Sequence, residues 1–320
     1  MSKQKNSMPT RTKDSNKFSA GSAWMGDRVI PIAEASIPVT DWGLTRSDIT
    51  YDVVPVRLGA FFRLDDYLDR FFVSMEKLSL NPKMTKNEVK SALQKMVSVT
   101  ELRDSYVSMV CSRGRPHIPG SRDPRDCINY FYAWCVPFIH VIKPEIAQKG
   151  ATALVSTSAL RIPDTSVDPT VKNYHWGDFN KSLIEAKSKN FETAFLLDQK
   201  GNITEGPGFN IFAVKDNIVL TPNTGVLKGI TRKTVLEIAE HLNLKREMRE
   251  ITKTEFFETD EVFIATSAGG ITPIVKVDNR IYSNGQIGEI TKRIATTYLE
   301  WIREPKFRTE IDYSLTINTK

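Results

Sequence analysis

Two residues in the second half of the chain have side chains suited to carbonyl chemistry. Lys172 lies between Val171 and Asn173 in the segment DPTVKNYHWGD, where an apolar residue would pack better. Burial lowers the pKa of a lysine, and the neutral amine that results can form a Schiff base. Glu205 ends an extended run in the segment GNITEGPGF. Taken singly, these residues also fit a solvated lysine and a surface carboxylate at a turn.

Two further segments are suited to a phosphate group. GVLKGITRKT predicts a helix that begins at about Thr231, and a helix N-terminus offers unpaired N–H groups and a positive dipole end. ATSAGGITP predicts a strand end rich in glycine and hydroxyl residues, among them Thr266 and Ser267. Each alone also fits an ordinary capped helix or loop. Together with the lysine and the carboxylate, they predict a pyridoxal phosphate site, because that cofactor needs an amine for its aldehyde, a carboxylate for its ring nitrogen and donors for its phosphate.

The composition is typical of a globular protein of the cytoplasm. Hydrophobic residues make up 40% of the chain and charged residues 26%. We expect no membrane span, since no apolar run approaches the roughly 18 residues required. The polar start, MSKQKNSMPTRTKDSNKF, lacks the apolar core of a secretory signal and predicts a disordered tail.

The net charge of +6 is concentrated in that tail. Its basic residues against its single acidic residue leave +4, namely Lys3, Lys5, Arg11, Lys13 and Lys17 against Asp14. The rest of the chain has no basic stripe, so binding to nucleic acid is an alternative only through the tail. The three cysteines adjoin apolar runs and predict buried thiols, and the four histidines show no metal-ligand spacing, so we predict no metal.

The elements that must position these segments mix helices and strands without strict alternation. The first half predicts a hairpin turning at Leu58-Gly59, helices over about 64–78 and 85–99, and two strands around an Arg-, Pro- and Gly-rich loop. The second half predicts strands near 151–158, 193–198, 210–214, 218–220 and 261–270, and helices after residue 176 and over about 231–244 and 287–303. This pattern favours an α+β protein with a disordered tail (1–20), a small N-terminal α/β domain (21–143), a linker (144–149) and a larger C-terminal domain (150–320).

Several segments resemble the fold-type IV pyridoxal-phosphate enzymes. DPTVKNYHWGDF, TEGPGFNIF, GVLKGITRK and TSAGGITPI carry the likeness, and YDVVPV, FFRLDDYLDR, INYFYAWCVP and NGQIGEITKRI extend it over about residues 25–315. This superfamily includes branched-chain and D-amino acid aminotransferases, aminodeoxychorismate lyases and (R)-selective amine transaminases, and the last group is the nearest likeness. The resemblance implies the two-domain fold and a homodimer in which each subunit completes the other's site.

The resemblance also implies roles for individual residues. Lys172 would form the Schiff base with pyridoxal 5′-phosphate and carry a proton between Cα and C4′, while Glu205 would pair with the pyridine nitrogen. Arg70 would bind the phosphate, although it also fits a solvated helix arginine. The other implied cofactor contacts are the backbone of Ile230 and Thr231, the hydroxyls of Thr266 and Ser267, the side chain of Leu227 against the ring, and Trp176, which equally fits a core aromatic residue.

The segment SYVSMVCSRG bears on the substrate. Branched-chain aminotransferases have an arginine two residues after the position of Tyr106, which holds the substrate carboxylate, whereas this chain has Ser108. Alternation places Tyr106 and Ser108 on one strand face. Without an arginine, this pocket favours a donor that lacks a carboxylate, such as a chiral amine. (R)-amine transaminases commonly have a glutamate here, so Ser108 departs from that pattern too.

A keto-acid acceptor such as pyruvate still needs a cation. Arg115 or Arg122, on the loop RGRPHIPGSRDPRD, is predicted to swing in for it, although Pro119 stands about where the family's loop arginine falls, and both arginines also fit a solvated loop. The predicted pocket wall comprises Tyr51, Val53 and Pro55, which alternate on one strand, together with Ala268.

These observations predict a pyridoxal-phosphate-dependent transaminase that passes the amino group of an (R)-amine to pyruvate by a ping-pong reaction. A D-amino acid or branched-chain amino acid aminotransferase is the alternative within the superfamily, followed by a pyridoxal-phosphate lyase. A nucleic-acid-binding protein is the alternative of a different class.

Overall fold

The computed structural model describes residues 16–314. The predicted disordered tail, residues 1–20, lies mostly outside this range. Its last five residues form a turn in which Phe18 is buried and Asn16 donates a hydrogen bond to the backbone of Val99. The prediction of a disordered tail is therefore wrong for residues 16–20, and its remainder lies outside the described residues.

The first half of the chain builds one β-sheet, and its two longer helices pack against one face of it. Its strands are β1 (Ser22–Met25), β2 (Arg28–Pro31), β3 (Ile49–Arg57), β4 (Ala60–Phe62), β5 (Ser105–Pro116) and β6 (Cys127–Pro137), and its helices are α1 (Trp42–Arg46), α2 (Leu64–Lys77) and α3 (Lys86–Ser98). The hairpin β3–β4 turns at Leu58-Gly59, as predicted. Helix α3 begins with a capping box between Thr85 and Glu88, which satisfies two backbone donors at its start.

The second half builds a larger sheet. Its helices are α4 (Pro144–Ala147), α5 (Gly177–Ser188), α6 (Ile230–His241), α7 (Lys253–Phe257) and α8 (Glu289–Trp301), and its strands are β7 (Ala151–Val155), β8 (Thr193–Phe195), β9 (Glu205–Gly206), β10 (Phe209–Lys215), β11 (Ile218–Thr221), β12 (Lys245–Met248), β13 (Glu261–Thr266), β14 (Gly270–Val277) and β15 (Arg280–Ile281). The main path of this sheet is β12-β11-β10-β13-β14-β7-β8.

A final short strand, β16 (Arg308–Glu310), returns to the first sheet. It pairs antiparallel with β4 and gives that sheet the order β16-β4-β3-β5-β6-β1-β2. This strand therefore lies with the first half of the chain, although the sequence assigned residues 150–320 to the second domain. The other domain limits stay a prediction. The mixed α/β architecture with two sheets agrees with the predicted fold class.

Side-chain alternation gives the first sheet two different faces. On β5, Val107, Met109 and Cys111 pack into the core beneath α2 and α3. Tyr106 and Ser108 project from the opposite face, as the sequence predicted, because successive residues of a strand point to opposite sides. That opposite face points toward the second half of the chain. The fold therefore keeps one side of the first sheet for its core and the other for a site.

No helix within residues 16–314 is long and apolar enough to cross a membrane.

Candidate active site

A cavity between the two halves brings together the residues predicted to bind the cofactor. The cavity is lined by Arg70 from α2, by Lys172 and Trp176 ahead of α5, by Glu205 of β9, by Leu227, Ile230 and Thr231 around the start of α6, and by Thr266 and Ser267 around the end of β13. These residues are up to about 200 positions apart in sequence, and the predicted cluster is thus present as a single site.

The segment that carries Lys172 is anchored to β3 of the first sheet. The Lys172 carbonyl accepts hydrogen bonds from the Thr50 hydroxyl at 2.7 Å and from the Tyr51 N–H at 3.2 Å. The amine lies 4.6 Å from the centre of the Tyr51 ring, and no other side chain among the described residues forms an ion pair or hydrogen bond with it. Burial, together with the nearby charge of Arg70, lowers the pKa of Lys172 to about 8. The neutral, nucleophilic form of this amine is therefore reached at a lower pH than for an ordinary lysine.

Glu205 is held as a buried carboxylate by three donors. One oxygen accepts from Arg161 Nε at 3.1 Å, and the other accepts from the Leu227 N–H at 2.9 Å and, at 3.4 Å, from Asn210 Nδ2. Burial raises the pKa of Glu205, while Arg161 and the Leu227 N–H oppose that rise. An anionic carboxylate in such surroundings is a partner for a protonated ring nitrogen.

Arg161 belongs to a larger buried network. Its guanidinium also pairs with Asp178 at 2.7 Å and lies 4.3 Å above the ring of Phe179. Asp178 is the acidic residue of the segment WGD, in the first turn of α5. Arg161 thus ties Glu205 to the helix that directly follows the lysine turn, and it fixes the carboxylate in one orientation.

The opposite end of the cavity presents donors to an anion. Arg70 donates from Nε and one terminal nitrogen to the fully buried Asp52, at 2.8 and 2.6 Å, and from its other terminal nitrogen to the Lys228 carbonyl at 3.1 Å. The Tyr67 hydroxyl is 2.8 Å from the Ser267 hydroxyl. Helix α6 begins here, and the first N–H groups of a helix have no intrahelical partner.

Thr231 gives a direct test of whether a phosphate fits this end of the cavity. Its hydroxyl is buried and has no hydrogen-bond partner in the described part of the chain. A buried hydroxyl without a hydrogen-bond partner lowers the stability of the fold. We therefore expect a bound ligand to supply a hydrogen-bond acceptor at this point. The hydroxyl, the helix N-terminus and Arg70 together fit the phosphate of pyridoxal phosphate, and Lys172 and Glu205 fit its aldehyde and ring nitrogen.

Asn210 and Gly229 keep the loop before α6 close to Glu205. Asn210 donates from Nδ2 to the Leu227 carbonyl at 2.8 Å. A Cβ at position 229 would lie 2.1 Å from the Asn210 amide oxygen, far inside van der Waals contact. Glycine at this position therefore permits the approach that places the start of α6 in the cavity.

The predicted substrate residues divide into two groups. Tyr51, Val53, Tyr106 and Ala268 line the same cavity, and Ser108 lines a recess that adjoins it. Pro55 and Arg115 line neither. Pro55 pairs with Tyr106 in the ladder between β3 and β5, one step beyond Val53.

The two arginines proposed for the keto acid are both exposed. Arg115 was predicted on a loop, but it lies within β5, opposite Ile128 of β6 and directly after a register shift. Beyond that shift β5 pairs with β6 again, so the strand continues to Pro116. The sequence did not predict this continuation, because Gly114 and Pro116 indicate a turn. Arg122 does lie in the connecting loop.

Several residues of the site were not predicted from the sequence. Asp52 and Arg161 each lie between apolar or aromatic neighbours, in YDVV and LRIP, and a charge in such surroundings signals a buried partner. Tyr67 and Asn210 gave no comparable signal, since an aromatic residue on an apolar helix face and a polar residue beside a turn are both common.

Comparison with known proteins agrees with this geometry. Residues 50–277 match the family model described as Amino-transferase class IV. A protein of Methanocaldococcus jannaschii, provisionally named a branched-chain-amino-acid aminotransferase, is 30% identical over 274 residues, covering 85% of this chain and 93% of that protein. D-alanine aminotransferase of Bacillus licheniformis is 26% identical over 274 residues, covering 84% and 93%.

The fold itself is similar to that of solved aminotransferases. The branched-chain aminotransferase of Thermoproteus uzoniensis with norvaline superposes with a TM-score of 0.83 at 27% identity, over 91% of this chain and 99% of that one. A second branched-chain amino acid aminotransferase, solved in complex with N-(5′-phosphopyridoxyl)-L-glutamate and designated T.th., gives a TM-score of 0.84 at 25% identity, over 92% and 99%. The chain therefore belongs to the class IV aminotransferases, and it is a pyridoxal-phosphate-dependent enzyme of that family.

Proposed function

We propose that this aminotransferase takes the amino group of an (R)-amine and transfers it to pyruvate in a ping-pong reaction. One observation carries the choice of an amine over an amino acid. Of the cations that line the cavity, Arg70 and Arg161 are each paired with a buried carboxylate, and the third is Lys172 itself. Among the described residues that line the cavity, this leaves no free arginine to bind the carboxylate of an amino-acid donor.

The handedness rests on a second consideration. It is the resemblance noted in the sequence, whose nearest likeness over about residues 25–315 is to the (R)-selective amine transaminases. The substrate face supports an apolar donor, since Tyr51, Val53 and Ala268 are all buried hydrophobic residues beside the lysine.

Each residue of the site has a role in this proposal. Pyridoxal phosphate supplies, when bound, an aldehyde that exchanges amino groups and a ring that withdraws electrons from the reacting carbon. Lys172 would hold the cofactor through its amine, and the same amine would carry a proton between the donor Cα and C4′ of the cofactor. The Tyr51 ring lies 4.6 Å from that amine and excludes water from it.

The remaining residues bind and orient. Glu205 holds a proton at the ring nitrogen, and Arg161 holds Glu205 in its anionic form. Arg70, the Thr231 and Ser267 hydroxyls and the first N–H groups of α6 would bind the phosphate. The Thr266 hydroxyl donates to the Gly208 carbonyl at 2.8 Å and so links the end of β13 to the turn after Glu205. Leu227 and Trp176 bound the space in which the ring lies.

We further propose that the enzyme acts as a cytoplasmic homodimer in which each subunit completes the other's site, as the resemblance implies. Arg115 or Arg122 is the proposed partner of the keto-acid carboxylate. If Arg115 has this role, Arg115→Ala should raise the KM for pyruvate far more than the KM for the amine. The same measurement on Arg122→Ala serves as the comparison, and equal effects on both substrates would remove the assignment.

A second candidate function is an amino acid aminotransferase. Its support is that the relatives reported above are named as branched-chain and D-alanine aminotransferases. Ser108, in place of a carboxylate-binding arginine, counts against it, because an amino-acid carboxylate would then be buried without a partner.

The visible spectrum of the purified protein tests these functions together. The bound cofactor should give a yellow protein that is bleached by (R)-1-phenylethylamine, left unchanged by the (S) form, and restored by pyruvate. Bleaching by D-alanine or L-leucine, with no response to either amine, would replace the proposal by the second candidate. Lys172→Ala is the control, because its spectrum should not show the wild-type band or its recovery with pyruvate.

A further inference from the structure

A recess beside the cofactor cavity has a lining that the transfer reaction itself does not explain. It shares Tyr51, Tyr106 and Trp176 with the cavity, and it continues past them to Ser108, Trp134 and Tyr174. A donor whose amino group reaches Lys172 would therefore extend its substituent into this recess.

Aromatic side chains form two pairs in this recess. The rings of Tyr51 and Tyr174 have centroids 4.4 Å apart, and the rings of Tyr106 and Trp134 stack at 5.3 Å with an angle of 26° between their planes. Flat π-surfaces at such separations favour a planar ring as the occupant, since an offset or edge contact between aromatic groups adds to the burial of apolar area.

Ser108 is one of the two residues in this lining that are not aromatic, the other being Asn180. Its side chain is fully buried, and its hydroxyl has no hydrogen-bond partner among the described residues. The hydroxyl lies near the Tyr174 phenol and opposes the rise that burial causes in the pKa of Tyr174, but the two groups do not reach hydrogen-bond geometry. Thr231, the other unpartnered hydroxyl that opens on this site, faces the place of the cofactor phosphate. By the same reasoning, the Ser108 hydroxyl indicates a hydrogen-bonding group on the substrate.

The absence of charged residues from the described lining of the recess indicates that the substrate group that meets Ser108 is uncharged. The lining contains only aromatic residues, Ser108 and Asn180, with no cation and no carboxylate in the described part of the chain. A charged substituent would lose its hydration here without gaining an ionic partner, whereas an uncharged oxygen would lose little.

We propose that the recess binds the aromatic ring of the amine donor and that the Ser108 hydroxyl hydrogen-bonds an uncharged oxygen substituent on that ring, so that the preferred donors are hydroxyl- or alkoxy-substituted aryl amines. This inference rests on the proposed amine transaminase function and specifies its substrate class. It assigns to Ser108 the selection of the substituent rather than a part in the chemical step.

Pairs of amines that carry either a hydroxyl or a methyl group at the same ring position test the inference. (R)-1-(3-Hydroxyphenyl)ethylamine is compared with (R)-1-(3-methylphenyl)ethylamine, and the two 4-substituted amines are compared in the same way, because a hydroxyl and a methyl group have similar size. In the wild type, the hydroxyl member of at least one pair should have the higher kcat/KM, by about tenfold, since one added hydrogen bond of about 1–1.5 kcal/mol has that effect. Ser108→Ala should abolish the preference.

Ser105→Ala is the matched control. Ser105 lies on the same strand, is equally buried and also has an unpartnered hydroxyl, but it does not line the recess. Its replacement should leave the preference unchanged. If both variants alter the preference alike, the effect comes from the strand and the assignment of Ser108 is overturned.

The corresponding ketones separate this inference from the proposed function, because their binding can be measured without turnover. Trp134 and Trp176 line the recess, so the quenching of tryptophan fluorescence by 3- and 4-hydroxyacetophenone and their methyl counterparts reports binding. A hydroxyl preference that Ser108→Ala removes supports the inference even if no amine bleaches the cofactor, in which case the proposed function alone fails. Bleaching by (R)-1-phenylethylamine without any hydroxyl preference, in amines or in ketones, leaves the proposed function intact and overturns the inference.

Discussion

Replacing Lys172 by methionine should stabilise the cofactor-free protein, although it removes the amine that the reaction needs. The lysine is surrounded by Tyr51, Val171 and other buried groups, and within the described residues its amine has no ion-pair partner. Burial without a partner disfavours the charged form, which is why its pKa lies at about 8 rather than at its ordinary value of 10.5. A folded state that must carry this charge is less stable than one that does not.

The magnitude follows from that difference in pKa. The folded-state pKa lies about 2.5 below the unfolded value, and at about 1.4 kcal/mol for each pKa unit this amounts to about 3.5 kcal/mol. Between about pH 8 and 10.5 the unfolded chain binds more protons at this residue, so the free energy of unfolding of the wild type rises with pH across that interval. Below about pH 8 the lysine is charged in both states and the full penalty applies.

Methionine carries no proton at any pH, and it has nearly the length of lysine. The difference in the free energy of unfolding between Lys172→Met and the wild type should therefore be largest at pH 7. It should shrink by about 3 kcal/mol as the pH rises from 7 to 10.5, because only the wild type gains stability there. Any constant difference in packing between the two side chains does not change with pH and cancels from this comparison.

Equilibrium unfolding in urea, measured on both cofactor-free proteins at several pH values from 7 to 10.5, gives the required free energies. Other titrating groups are common to both proteins and cancel. Lys181→Met, at an exposed position on α5, is the control and should show a difference that does not vary with pH. A pH-independent difference for Lys172→Met would refute the conclusion that the fold lowers the pKa of this amine.

Two other substitutions test the remaining groups of the site. Thr231→Val removes the unpartnered hydroxyl while keeping the shape, so the cofactor-free protein should be as stable as the wild type or more so, while the affinity for pyridoxal phosphate should fall by about tenfold; a loss of stability with unchanged affinity would contradict the phosphate assignment. Arg161→Met leaves Glu205 and Asp178 buried without their cation, so the free energy of unfolding should fall by about 3 kcal/mol or more at pH 8. That loss should be smaller at pH 5, because burial already raises the pKa of Glu205 and a proton can replace the missing charge there; an equal loss at both pH values would exclude this explanation.

Elements with strong apolar periodicity could be predicted from the sequence to within a few residues. Helix α2 was expected over about 64–78 and is observed at Leu64–Lys77, and helix α6 was expected over about 231–244 and is observed at Ile230–His241. Such segments bury one face whatever they pack against, so their pattern is a local property. The segments that line the cavity were also predictable, because lysine, glutamate and hydroxyl residues at turns have few other reasons to occur together.

The sequence does not show which residue forms an ion pair with each buried charged side chain. Asp52 is 18 positions from Arg70, and Arg161 is 44 positions from Glu205, so neither pair follows a helix or strand period. Alternation on β3 fixes which face carries Asp52 but not which helix covers that face. Strand β16 was missed for a related reason, since a short segment of Arg, Thr and Glu has no apolar pattern and pairs only because the edge of β4 is available.

The pairing of Arg70 with Asp52 explains how a buried arginine can remain ready for a phosphate. A guanidinium group has five N–H donors. Asp52 takes one from Nε and one from a terminal nitrogen, and the Lys228 carbonyl takes one from the other terminal nitrogen. One hydrogen on each terminal nitrogen is left over, so Arg70 need not break its ion pair to bind an anion. Asp52 lets the arginine be buried before the cofactor arrives and fixes its orientation, while Lys172 receives no such partner and stays reactive.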